Sequence, residues 1–215
     1  MNRSTQKRRA RYAVQHYGTT YAEEARITLR DKPAPLYQLL VLAMLLSARI
    51  SAGIAVAAAR ELHAAGYRTP QRMAQATWQQ RVDALGRGGY RRYDERTATM
   101  LGEGAEQLLA DHRGDLRRLR TADKDGVAEL RGRLQAFPGI GPAGADIFCR
   151  EAQLLWPELV PYLDRKALQG AKRAGLPADA ATLAGLVPDD DVVRLAAACV
   201  RAALDEDVAT AIHGS

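Results

Sequence analysis

The sequence predicts an all-α protein, and three observations support this fold class. Forty of the 215 residues are alanine and only nine are proline. Apolar residues recur at the 3.6-residue spacing of amphipathic helices, and no segment shows the alternation of a half-buried strand. The longest apolar run, Leu39 to Leu46, has eight residues, against the ~20 that a membrane-spanning helix needs. We therefore expect a cytoplasmic protein without a membrane span or a secretory signal.

Capping residues and helix breakers locate the helices in the first half of the chain. Thr20 and Glu23 have the spacing of a capping box, and Pro35 suits the first turn of an apolar helix that runs to about Ala48. Three later starts are also expected: Ser51 before a helix ending at Gly66, Thr69-Pro70 before another, and Thr77 before a helix from Trp78 to Leu85 that Gly86 ends. A longer helix should run from about Tyr93 to Asp111.

Glycine and proline also separate the helices predicted in the second half. These helices are expected at about 125–136 and 142–155, then after Trp156-Pro157 from Asp164 to Ala174 with Gly175 as the end, and once or twice in the remaining tail. We predict two lobes: a helical barrel formed by residues 34–155, and a second lobe formed by residues 1–33 and 156–215.

Charge is distributed unevenly along the chain. Residues 178–215 hold seven acidic and two basic residues, whereas the rest holds 29 basic against 18 acidic residues. Of the 31 basic residues 26 are arginine, the side chain best suited to bidentate phosphate contact. This pattern favours a polyanion, nucleic acid first, as the partner; a surface kept soluble by arginine is the alternative.

Cysteine and histidine indicate no metal cofactor. Cys149 and Cys199 are too few for a four-cysteine zinc or iron-sulfur site, and we expect both to be reduced core residues. The four histidines are scattered without the spacing of metal ligands. We therefore expect no catalytic metal and no iron-sulfur cluster.

The densest local signal is the segment from Leu130 to Ala145, which predicts a helix, a tight turn and a second helix. The turn, Gly139-Ile140-Gly141, lacks two side chains, so a phosphate could approach its backbone closely. Its N–H groups and the positive end of the following helix dipole would then form an anion site. Such a site holds DNA without reading its sequence. A plain helical hairpin with glycines for tight packing is the alternative.

The segment resembles the hairpin of the helix-hairpin-helix DNA glycosylases, the superfamily of endonuclease III and of the adenine-specific mismatch glycosylase. The resemblance extends over about residues 20–185, in order. Three further segments match the family's pattern: Leu42-Ala43-Met44-Leu45-Leu46-Ser47-Ala48-Arg49, Gly88-Gly89-Tyr90-Arg91-Arg92-Tyr93-Asp94-Glu95-Arg96-Thr97-Ala98, and Val160-Pro161-Tyr162-Leu163-Asp164-Arg165-Lys166.

The resemblance implies a two-lobed glycosylase fold, duplex DNA with a damaged or mismatched base as the partner, and hydrolysis of an N-glycosidic bond after base flipping. Asp164 matches the family's essential aspartate, which stabilises the oxocarbenium charge and activates water. An aspartate before a helix is otherwise an N-cap. We expect a monomer that acts on nucleoid DNA.

Departures from the family pattern refine the expectation. Ala143 stands where the lyase branch has its Schiff-base lysine, so hydrolysis without strand cleavage is favoured. Lys166 or Lys172 could supply an amine near the site, so a lyase that uses a non-standard lysine is an alternative. Arg49 replaces a glutamine that fills the gap left by the flipped base, or is a surface arginine. A DNA-binding protein without turnover is the rival from another class.

The resemblance also assigns contacts around the proposed catalytic residue. We expect DNA contacts from residues of the hairpin and of two loops: Gly139, Ile140, Gly141, Ala143, Gly144, Arg49, Tyr90, Arg91 and Arg92. A base pocket should involve Tyr37, Tyr162 and Lys166, whereas Trp78 is expected in the core. In the family, carbonyls at the positions of Gln135, Phe137 and Ile140 bind a monovalent cation.

Overall fold

The computed structural model describes residues 2–120 and 126–215, and within them it contains helices and no strand, which confirms the all-α fold class. The α-helices are α1 Arg3–Tyr17, α2 Tyr21–Glu24, α3 Pro33–Ser47, α4 Ala52–Ala64, α5 Pro70–Gln75, α6 Trp78–Arg87, α7 Asp94–His112, α8 Val127–Gln135, α9 Pro142–Ala152, α10 Arg165–Arg173, α11 Ala180–Ala184, α12 Val192–Leu204 and α13 Glu206–Gly214. Short 3-10 segments lie at Leu116–Leu119, Pro157–Leu159 and Asp189–Asp191. No helix among the described residues is long and apolar enough to span a membrane.

Local capping chemistry starts the helices where the sequence predicts it. The side-chain oxygens of Ser51, Thr69 and Thr77 each accept a hydrogen bond from a backbone N–H in the first turn of α4, α5 and α6. Gln80 completes the capping box of α6 by accepting from the Thr77 N–H at 2.8 Å. These starts are confirmed because a cap depends on residues within one turn.

Three details of the helix prediction are wrong. Helix α6 continues through Gly86 to Arg87, and Gly88 caps it. The tail contains three α-helices instead of one or two. Trp78 is 41% exposed and not a core residue, because the indole N–H donates to the Glu95 carbonyl at 3.3 Å at the surface. The predicted start of α8 at residue 125 lies outside the described residues, and α8 begins at Val127.

The chain forms two compact units, the central unit Ala22–Phe148 and the terminal unit Met1–Tyr21 with Cys149–Ser215. The sequence predicts the corresponding boundaries at residues 34 and 155. In the central unit α3 packs against α4, α4 against α6, and α7 against α5 and α6. Helix α3 is the apolar centre of this unit, with most of its residues from Leu36 to Leu45 buried.

The buried Arg81 fastens three elements of the central unit. Its guanidinium donates to the carbonyls of Met73 at 3.0 Å, Ala76 at 2.7 Å and Ala98 at 2.8 Å. A Cβ on Gly102 would lie 2.6 Å from Nη2 of Arg81, so this glycine makes room for the guanidinium. Backbone carbonyls therefore replace the water that a buried cation loses.

The terminal unit is built around α12, which packs against α1, α10 and α13. A Cβ on Gly170 would lie 1.7 Å from the carbonyl oxygen of Cys199, so α10 and α12 approach too closely for any side chain there. Cys149 and Cys199 are buried in this unit, as the sequence predicts. Burial raises the pKa of the Cys199 thiol to about 12, and the residue behaves as a small apolar core residue.

Candidate functional site

The hairpin of the central unit is a tight turn between α8 and α9, anchored by apolar side chains. Phe137 and Ile140 are buried, and the Ile140 N–H donates to the Phe137 carbonyl at 3.1 Å. Gly139 has φ +79°, and a Cβ there would meet Met100 Sδ at 3.1 Å and Met44 Cγ at 3.2 Å. Only glycine combines this backbone conformation with such close packing. The first glycine of the motif is therefore required by the turn itself.

The second glycine lies on the open side of the same turn. A Cβ on Gly141 would meet no atom within 4 Å, and Gly141, Pro142 and Ala143 are all exposed. Helix α9 begins at Pro142, so the N–H group of the exposed Ala143 has no carbonyl acceptor within the helix. Together with the positive end of the α9 dipole, this surface is suited to an anion. Gly144, also predicted to contact DNA, is instead buried against Ile140 and Ser47.

Two further segments predicted to contact DNA belong, like the hairpin, to the central unit. A Cβ on Gly144 would be 3.6 Å from Cβ of Ser47, and the exposed Arg49 follows Ser47 by two residues. Met100, which contacts Gly139, lies six residues after the start of α7, or about 9 Å along the helix axis. Arg91 and Arg92 precede that start and are exposed. The structure thus places the Arg49 segment beside the hairpin, whereas the Arg91 segment precedes the far end of α7 and its contact with DNA stays a prediction.

Tyr90, predicted to contact DNA, and Tyr37, predicted in the base pocket, both lie in the core. Tyr90 is 1% exposed and Tyr37 is 2% exposed, so the roles of DNA contact and base-pocket wall are corrected to core packing. Burial raises the pKa of both hydroxyls, and the Tyr37 hydroxyl has no hydrogen-bond partner among the described residues. The interleaved arginines suggested an exposed Tyr90, but the turn at Gly88-Gly89 leads the chain inward, with Gly88 packed on Ala58.

Backbone carbonyls at the hairpin fit the predicted monovalent cation in type. Gln135 ends α8, where helix carbonyls lack intrahelical donors and the dipole favours positive charge. Pro138 lacks an N–H group, so it cannot donate a hydrogen bond to these carbonyls. The Phe137 carbonyl already accepts the Ile140 N–H, although a carbonyl oxygen has a second lone pair. The carbonyls of Gln135, Phe137 and Ile140 would hold the ion, which would supply positive charge for an anionic ligand.

Asp164 of the terminal unit is a helix cap and the partner of a buried arginine. Its Oδ1 accepts the Ala167 N–H at 2.8 Å, which caps α10. Its Oδ2 accepts a hydrogen bond from Nη1 of Arg150 at 2.5 Å, and the two side chains are 5% and 6% exposed. Both carboxylate oxygens are therefore engaged within the terminal unit.

Gln153 holds the segment that leads to Asp164. Its side-chain amide donates to the Tyr162 carbonyl at 3.0 Å and accepts the Tyr162 N–H at 2.9 Å. Gln153 also donates to the Arg150 carbonyl at 2.7 Å. Arg150 and Gln153 thus hold residues 162 and 164 from one end of α9.

Arg150 and Gln153 are not predicted from the sequence. They lie at the C-terminal end of α9 and just after it, and only the structure shows that these polar residues are buried. Lys166, predicted in the base pocket, is exposed on the first turn of α10, and its Nζ lies 3.5 Å from Oε1 of Gln169. The role of Tyr162 in a pocket stays a prediction.

Comparison with known proteins identifies the fold. No protein-family model matches the chain, and no curated protein matches it. Endonuclease III in a non-covalent complex with DNA has a similar structure, with a TM-score of 0.51 and 18% identity over 91% of this chain and 84% of that chain. A trapped covalent endonuclease III–DNA intermediate, the estranged-adenine complex, has a TM-score of 0.48 and 17% identity over the same shares. The chain has an endonuclease III-like fold.

Proposed function

We propose that this protein is a DNA repair glycosylase that removes a damaged or mismatched base from duplex DNA. The observation that carries the proposal is the open hairpin turn at Gly141, which precedes the N-terminus of α9 in an endonuclease III-like fold. Backbone N–H groups at such a turn bind phosphate regardless of sequence. This property suits an enzyme that must bind any DNA before it tests a base.

The proposed reaction is hydrolysis of the N-glycosidic bond by water, with Asp164 as the catalytic carboxylate. The bond between the sugar carbon and the base nitrogen breaks, and the base leaves with the bonding electron pair. Negative charge on Asp164 stabilises the positive charge that develops on the sugar. Water then adds to that carbon, and its proton passes to the carboxylate and from there, directly or through solvent, to the departed base nitrogen, which restores the charge of Asp164.

The chemistry is proposed to end at base removal. Strand cleavage by a lyase requires an amine that attacks the sugar carbon, and Ala143 occupies the position of the family's lysine. We therefore propose a monofunctional enzyme without an iron-sulfur cluster, which acts as a monomer on nucleoid DNA.

A panel of duplex oligonucleotides tests the proposal. Each duplex carries one alkylated, oxidised or deaminated base, or one mismatch, and strand breaks are scored before and after hot alkali. We expect breaks only after alkali for at least one lesion. Breaks without alkali, together with a borohydride-trapped covalent adduct that Lys166→Gln abolishes, would instead establish a lyase that uses Lys166.

A non-catalytic DNA-binding protein is the second candidate function. It is favoured by the geometry of Asp164, because both carboxylate oxygens already accept hydrogen bonds from Arg150 and Ala167. This candidate requires tight, salt-dependent binding of duplex DNA with no excision from any duplex of the panel.

A further inference from the structure

The ion pair between Arg150 and Asp164 is more than the start of α10 requires. Asp179 caps α11 with the same geometry, since its Oδ1 accepts the Thr182 N–H at 2.8 Å. Asp179 is exposed and forms no ion pair with an arginine or lysine among the described residues. Helix α11 therefore begins at an aspartate cap that has no buried guanidinium beside it. Capping of α10 does not explain the presence of Arg150.

Burial makes this pair costly for the fold. Two charges lose most of their hydration when their side chains are 5% and 6% exposed. Well-packed apolar residues in place of a buried ion pair are often equally or more stabilising. The pair is thus poorly explained as a device for stability alone.

The surrounding contacts limit the motion of the carboxylate. Hydrogen bonds from two different elements, the Arg150 side chain on α9 and the Ala167 N–H of α10, fix the orientation of Asp164. Gln153 holds the backbone of Tyr162, two residues earlier. An ionised carboxylate has about four acceptor positions, so about two remain for water or sugar.

We infer that Arg150 is a positioning residue for Asp164, an inference that rests on the proposed glycosylase function. The guanidinium holds one carboxylate oxygen in a fixed place and balances its charge in the buried site. Because the hydrogen bonds from Arg150 and Ala167 fix the carboxylate, they also fix the directions of its remaining lone pairs. Arg150 itself contacts neither water nor DNA in this role, and its effect is on the rate of bond cleavage.

Single-turnover kinetics on the lesion identified by the panel tests this inference. Arg150→Gln should lower the excision rate by roughly 100-fold, because a misplaced catalytic group costs about this factor, with the Kd for the same duplex changed less than threefold. Arg150→Lys, which keeps the charge but loses the planar guanidinium, should recover only about a tenfold part of the loss and stay about tenfold below the wild-type rate. Rates are taken at a temperature where circular dichroism shows each variant to be fully folded.

Arg173→Gln is the matched control. Arg173 also belongs to the terminal unit, but its pair with Glu206 is long, at 3.8 Å, and exposed. This variant should excise at the wild-type rate. If Arg150→Gln does not fold, Arg150→Lys decides alone: a rate within threefold of wild type and of Arg173→Gln, at both pH 6 and pH 8, overturns the inference.

Failure of the inference and failure of the proposed function give different results. If the wild type excises a base and Arg150→Gln does so within threefold of its rate, only the positioning role is overturned. A parallel loss of rate and of DNA binding in Arg150→Gln also overturns it, in favour of a purely structural role. If the wild type excises no base, the proposed function fails and the inference fails with it.

Discussion

The hairpin turn of the central unit and the Asp164 segment of the terminal unit use the chain in opposite ways. At the hairpin the useful groups are backbone N–H donors, and side chains are absent or buried so that the open side of Gly141 stays clear. At Asp164 the useful group is a charged side chain, buried and held by the side chain of Arg150. At the hairpin an added side chain would block the approach of an anion to the backbone. At Asp164 the loss of Arg150 would leave a buried charge without its partner. The two regions should therefore respond to mutation in different ways.

The largest expected effect is the loss of stability when the buried pair is broken. Arg150→Gln leaves the charge of Asp164 buried without its partner, so we expect the free energy of unfolding to fall by roughly 3 kcal/mol. The double variant Arg150→Gln with Asp164→Asn should recover part of this loss, because no uncompensated charge remains. Urea unfolding followed by circular dichroism measures both values.

Arg173→Gln is again the control for this stability measurement. Its exposed pair should contribute at most about 0.5 kcal/mol. Equal losses in Arg150→Gln and Arg173→Gln would show that the buried pair is no more important than a surface pair, and the contrast between the two regions would disappear.

Substitutions of the two hairpin glycines should affect different properties, stability at Gly139 and DNA binding at Gly141. Gly139→Ala forces alanine to φ +79° against Met44 and Met100, which should cost about 1–2 kcal/mol of unfolding free energy. Gly141→Ala meets no neighbouring atom and should change stability by less than about 0.5 kcal/mol. It should nevertheless weaken duplex DNA binding by about tenfold, because its methyl group occupies the approach of a phosphate.

Fluorescence anisotropy with an undamaged duplex measures this affinity, and Gly53→Ala serves as the control. Gly53 also has open space for a Cβ, but it lies in α4 and outside the hairpin. A Gly141→Ala variant that binds DNA as tightly as Gly53→Ala would remove the hairpin as the phosphate site.

The smallest expected effect concerns the exposed arginines between α6 and α7. Arg91→Gln should reduce the slope of log Kobs against log salt concentration by about 1, as expected for one lost phosphate contact. Arg87→Gln should change the slope less, because Nε of Arg87 already lies 3.1 Å from Oε2 of Glu61. Equal changes for both variants would indicate a general charge effect instead of a defined contact.

The sequence predicts those features that depend on a few neighbouring residues. The caps at Ser51, Thr69 and Thr77, the turn at Gly139 and the cap at Asp164 are all found, because each is determined within about one helical turn. Alanine content and helical apolar spacing predict the all-α fold, which this chain shares with endonuclease III at 18% identity.

Features that depend on distant residues are not predictable in this way. Tyr90 is expected at the surface and is buried, whereas Trp78 is expected in the core and is exposed. The packing of helices against one another decides which residues are buried, and the neighbouring residues in the sequence do not show it. Arg150 is 14 residues from Asp164, across the irregular segment that follows α9, so no local spacing connects them. The partner of the proposed catalytic residue becomes visible only in the folded chain.

The most direct test of the account is the single-turnover excision rate of Asp164→Asn beside that of Asp179→Asn. Asparagine caps helices as well as aspartate does, but Asp164→Asn leaves the charge of Arg150 unpaired. The rates are therefore taken at a temperature where circular dichroism shows both variants to be fully folded. We expect Asp164→Asn to lose roughly 1,000-fold in rate with its DNA affinity nearly unchanged, and Asp179→Asn to retain the wild-type rate. Excision by Asp164→Asn within threefold of wild type would contradict the assignment of Asp164 as the catalytic carboxylate.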